Sequence, residues 1–139
     1  MPTVTILYPA IALVFLTFGV ALWLLHCRIR AYKEGVNPVH FRFNKGEELP
    51  AYALQAEQHY SNLFEMPLLF YVAVIFAYIT QTVSWPLLVL AWVYVGARVA
   101  HAYIHLGSNK LRARRDAFLF SFLCLLLMWL WLLGTLIVR

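Results

Sequence analysis

Charge is what this sequence has least of. Of its 139 residues only 12% are Asp, Glu, Lys or Arg, against about 25% in a soluble domain, while 63% are hydrophobic. So little charge cannot cover a water-exposed surface, and the long uncharged runs point to an integral membrane protein. Cysteine is confined to Cys27 and Cys124, with no CxxC spacing, so the two read as free apolar thiols rather than a redox pair. There is no HExxH or ExxH pair, no Ser/His/Asp constellation, no internal repeat and no low-complexity tract. Alternation of period two is also missing, which excludes a β-barrel and leaves helices as the way to cross lipid.

What is present is four apolar segments, at about 4–26, 53–80, 85–107 and 115–138. Each approaches the roughly 20 residues a helix needs to cross the hydrocarbon. The first has no basic residue before it and exceeds the length of a signal-peptide core, so it reads as a retained span. The connection after it holds Arg28, Arg30, Lys33, Arg42 and Lys45; the one after the third span holds Lys110, Arg112, Arg114 and Arg115. The "QTVS" link and the N-terminal tail hold none, and Arg139 stands alone at the far end. The positive-inside rule then makes both basic connections cytoplasmic and both termini external. A net charge of +5 is thus one-sided. It serves orientation and attraction to anionic headgroups, or an anionic ligand, and the two are compatible; no nucleic-acid partner is expected.

The second span opens "AYALQAEQHYSNLFEMP", after Pro50. Gln58, Asn62 and Glu65 follow at i, i+4 and i+7, on one helix face. The third span carries Tyr94, Arg98, His101 and His105 at i, i+4, i+7 and i+11. At 1.5 Å per residue, Glu65 lies about 22 Å from Thr80 and Arg98 about 20 Å from Trp85. Because the link between these spans is short, they are expected as antiparallel neighbours with both stripes at one depth. A charge near a helix centre costs about 2.5–3.5 kcal/mol even on insertion scales, so such groups pair or line a wet cavity. A Glu65–Arg98 salt bridge is one reading. A polar pocket for a charged small molecule is the other, favoured by the surplus of Gln58, Asn62, Tyr94, His101 and His105. Pro67 removes a backbone donor and is expected to kink the helix, the freed carbonyl being re-satisfied by a neighbour such as Asn62 or by a ligand.

His101 and His105 have a spacing that suits a metal, with Glu65 as a third donor. A bis-histidine haem would instead set His59 against His101 or His105, close to the interface. Neither pattern is strong enough to assign, and no metal is expected. The fourth span opens with "KLRARRD", whose cations oppose the helix macrodipole; topology or an anion accounts for them. Its interior is apolar and expected to face lipid, with Trp129 and Trp131 toward the outer interface.

Three local patterns together resemble the MAPEG family, the membrane-associated proteins of eicosanoid and glutathione metabolism. They are "RIRAYKEGV" at 28–36, "NLFEMP" at 62–67 and "ARVAHAYIHLGSNKLRA" at 97–113. The resemblance covers nearly the whole chain as a single domain over 1–139, and the short length and "FEMP" form are similar to a bacterial branch, implying the inner membrane. It implies an all-α homotrimer of four-helix subunits, with glutathione held between subunits near the cytoplasmic face. By the same resemblance, Asn62 and Glu65 bind the glutathione backbone, Glu65 taking the amino group. Arg98 reaches a carboxylate, and Arg112 or Arg30 stands near the sulfur to favour the thiolate. Gln58 occupies a position where glutathione-using members carry arginine, and His101 and His105 replace tyrosines of the synthases. The implied function is a glutathione- or other-thiol-dependent transferase or peroxidase acting on lipophilic electrophiles. The alternative is a non-catalytic subunit that binds lipid or stabilises a larger membrane complex.

Overall fold

The computed structural model describes residues 1–43, 46 and 48–138; Lys45 and Arg139 of the charge pattern lie outside them. A 3₁₀ turn at Thr3–Ile6 leads into α1 (Leu7–Lys33), followed by a short α2 (Pro38–Phe43), α3 (Ala51–Asn62), α4 (Met66–Ile79), α5 (Trp85–Leu106) and α6 (Leu111–Ile137). Four spans are long and apolar enough to cross a membrane: Thr3–Lys33, Ala51–Ile79, Trp85–Leu106 and Leu111–Ile137. The chain is a multi-pass, all-α membrane protein, and no strand occurs among the described residues.

Local chemistry ends these helices where the topology needs turns. After α1, Gly35 takes φ +103°. Its N–H bonds Tyr32 O at 3.1 Å and the N–H of Val36 bonds Ala31 O at 3.1 Å, a Schellman closure in which only glycine adopts that φ without strain. After α4 the same pair of bonds forms around Gln81 at φ 55°, from Gln81 to Tyr78 O (3.3 Å) and Thr82 to Ala77 O (3.1 Å). The link is closed at its far side by Trp131, whose indole Nε1 donates to Ser84 Oγ at 3.0 Å. Between α5 and α6, Asn109 turns the chain at φ 49° and accepts from Arg114 Nη1 at 2.9 Å.

The second span is two helices rather than one kinked rod. It breaks at Leu63–Glu65, where short bonds run from Phe64 N to Ser61 O (3.0 Å) and Glu65 N to Asn62 O (3.3 Å). Pro67 has no N–H to offer the carbonyl of Leu63, and it sits in the first turn of α4, where a missing donor costs nothing. The two halves pack differently. α3 lies on α1 and α5, whereas α4 lies on α6 and α1; α5 packs most extensively on α6. The expectation of antiparallel neighbours therefore holds for the α3 half. α4 meets α5 chiefly through large side chains, the Phe70 and Tyr94 rings stacking at 4.5 Å.

Buried apolar residues form two clusters. One, toward the turn between α4 and α5, includes Leu13, Phe70, Val74, Leu87, Ala91, Leu125 and Met128. The other, toward the basic end, gathers Leu24, Cys27, Ala31, Leu49, Ala53 and Ala56. Cys27 and Cys124 are both buried and unpaired.

Candidate functional site

Polar side chains from three helices and from the break itself collect at the depth where the second span breaks. A cavity of about 570 Å³ opens between α3, the break, α5 and α6. Gln58, Ser61, Asn62 and Glu65 line it from one side, His101 and His105 from another, and Leu111, Arg114, Arg115 and Phe118 from the third. The predicted stripe Gln58–Asn62–Glu65 thus shares one wall, even though Glu65 belongs to the break rather than to a continuous helix.

Arg98 lies behind this wall and is fully buried. Its Nη2 donates to Asn62 Oδ1, and no Glu65–Arg98 ion pair forms among the described residues. The salt-bridge reading gives way because the break carries Glu65 out to an exposed position and leaves the amide at the depth of the guanidinium. Nε and Nη1 of Arg98 are buried without a partner, as is the hydroxyl of the fully buried Tyr94. An orphaned buried polar atom costs about 1–3 kcal/mol, so this layer carries stress unless something further supplies acceptors.

His101 and His105 meet a residue that the stripe argument passed over. His59 is fully buried, its Nδ1 is 3.1 Å from His105 Nδ1, and its ring centroid is 5.3 Å from that of His101. The third donor beside the two histidines is therefore His59 and not Glu65. The available signal was the line Ala53, Ala56, His59, which continues the small-residue face of α3 that packs inward.

The remaining cations divide. Arg114 and Arg115 stand on the cavity wall, Arg114 held by Asn109 and Arg115 paired with Asp116 at 2.9 Å. Arg112 is exposed in the first turn of α6 and Arg30 is at the foot of α1, neither of them lining the cavity within this subunit. Arg30 pairs with Glu34 at 2.8 Å and lies 4.4 Å above the Tyr52 ring, whose hydroxyl donates to the other Glu34 oxygen at 2.6 Å. The Tyr52 hydrogen bond, then the Arg30 one, hold the Glu34 carboxyl below its ordinary range. Arg28 ties α1 to α3 through Glu57 at 2.8 Å.

The MAPEG family model matches residues 6–134, nearly the full chain.

The chain belongs to the MAPEG family.

Neither a curated protein nor a solved structure matches it significantly. Within this MAPEG protein the segment "NLFEMP" is the one that breaks the second span, so it and the cavity coincide. The wall combines one carboxylate, two guanidiniums, two amides, one hydroxyl and two imidazoles. That donor set suits a small ligand carrying both signs of charge, and it offers cations to an anion that develops there.

Proposed function

We propose that this MAPEG protein is a glutathione- or related thiol-dependent transferase or peroxidase for lipophilic electrophiles. The observation that carries the reading is the cavity wall that sets Glu65 opposite Arg114 and Arg115 at the edge of an apolar bundle. Glu65 suits the ammonium of a thiol peptide, Gln58 and Asn62 its peptide groups, and the arginines its carboxylates or sulfur. Cations near a thiol favour the thiolate, and fixed donors stabilise it better than water does because they need no reorganisation. The thiolate then attacks an electrophile that arrives from the lipid.

In this reading the subunits form a homotrimer in the inner membrane, with the basic connections cytoplasmic and the termini outside. Arg30 and Arg112, exposed in one subunit, then face a neighbour's cavity and complete the set of cations.

The test is thermal unfolding of the purified protein with millimolar glutathione, in wild type and Glu65→Gln. A ligand present at 100 times its Kd stabilises by about 2.7 kcal/mol, so the wild-type midpoint should rise by several degrees and the variant's by much less. Glu65 is exposed, so the variant itself should fold normally. A wild-type midpoint that ignores glutathione removes the transferase reading and leaves the non-catalytic, lipid-binding alternative.

A further inference from the structure

The cluster His59, His101 and His105 is not needed by the thiol chemistry proposed above, and it is an unusual way to fill a buried layer. Each ring offers a nitrogen within 4.8 Å of those of the other two, and all three residues are buried. The rings are not packed as an aromatic stack: centroids are 5.1 to 5.6 Å apart with interplanar angles of 40°, 58° and 90°. His59 Nε2, His101 Nδ1 and His105 Nε2 are buried and take no hydrogen bond.

We propose that His59, His101 and His105 form a binding site for one divalent transition metal of the zinc class. Three neutral imidazoles with no thiolate and no carboxylate suit zinc, copper or nickel rather than magnesium or calcium. Metal–nitrogen bonds of about 2.0–2.1 Å in a tetrahedral site set neighbouring nitrogens about 3.3 Å apart. The 3.1 Å between His59 Nδ1 and His105 Nδ1 is already close to that edge. His101 and His105 line the cavity, which leaves the fourth position facing it. Arg98, one turn before His101 on α5, and Arg114, across the cavity, place positive charge nearby. The fourth ligand is therefore an anion, such as hydroxide, drawn from the cavity.

Full-length protein, purified on a tag free of histidine and with no glutathione present, is titrated with Zn²⁺ by calorimetry and with Co²⁺ by visible absorption. The expected result is one equivalent bound at micromolar metal, with the intense d–d bands of tetrahedral cobalt. His59→Gln, His101→Gln and His105→Gln should each lower affinity at least tenfold, whereas His26→Gln and His40→Gln should not. X-ray absorption of the zinc-loaded wild type should count three imidazoles, a readout that does not depend on any variant folding. Less than one equivalent bound by wild type, fewer than three imidazoles, or equal affinity in all five variants would overturn the site. Since no thiol is used, these results are independent of the glutathione test.

Discussion

Arg98 shows most plainly how one residue can be held at membrane depth. A buried guanidinium with one amide partner is precarious, since a hydrogen bond to a charged group contributes about 1.5–3 kcal/mol. Asn62→Ala should therefore destabilise by roughly that amount, measured by unfolding in detergent. Arg98→Met removes the charge as well as the bond, and replacing buried charge by apolar volume is often nearly neutral. The double variant should consequently be no less stable than Asn62→Ala alone. If it is less stable, the pair is not coupled as described. Glu34 offers a second test at this scale. Its carboxyl is held low by Tyr52 and Arg30, so its contribution is complete above the ordinary glutamate value of about 4.3. That contribution is lost as pH falls through the lowered folded-state value. Tyr52→Phe weakens the hold, so its melting temperature should lie below wild type's at neutral pH and stop falling at a higher pH than wild type's, the two curves converging in stronger acid. Parallel curves throughout would show that the Tyr52 contact does not shift Glu34.

At the scale of the element, the break at Leu63–Glu65 is the feature on which the site depends. A continuous helix would set Gln58, Asn62 and Glu65 in one rigid row. The interruption instead leaves Asn62 facing Arg98 and swings Glu65 to the cavity mouth. Pro67→Ala restores an N–H that can bond the Leu63 carbonyl and so join α3 to α4. Because Pro67 lies in a first helical turn, the change should alter stability by no more than about 1 kcal/mol. It should raise amide protection across residues 63–68 in hydrogen exchange and reduce the glutathione-induced shift. Unchanged protection would mean that proline is not what keeps the helix open. The helical period and the proline made a disturbance here legible. They did not reveal that the two halves would choose different neighbours, since packing against α6 rather than α5 depends on side-chain volumes far along the chain.

The whole molecule presents a large apolar surface, with Phe15, Phe18 and Leu22 of α1 and Leu130 and Leu133 of α6 each more than half exposed. Lipid covers such faces at no penalty, so the surface does not by itself demand partners. The proposed trimer rests instead on the family resemblance, which would bring the exposed Arg30 and Arg112 to a neighbouring subunit's cavity. Native mass spectrometry from mild detergent should give three chains per particle, and a crosslink from Arg30→Cys should join subunits. A monodisperse monomer would leave Arg30 and Arg112 without a role in the cavity and weaken the thiolate mechanism directly.

The sequence by itself determined the class of fold, because lipid lets a chain of so little charge span only as helices whose backbone bonds are internal. It also determined that Gln58, Asn62 and Glu65 lie near the depth of Arg98, His101 and His105, because helical rise converts residue number into distance. Tertiary structure alone decided who meets whom across that layer. A period assigns a residue to a face but says nothing of how two helices rotate about their axes. That rotation, set by the small face Ala53–Ala56–His59 and by the break before Pro67, gave Arg98 to Asn62. It brought Arg114 and Arg115 to the cavity wall and made His59 the third member of a histidine cluster.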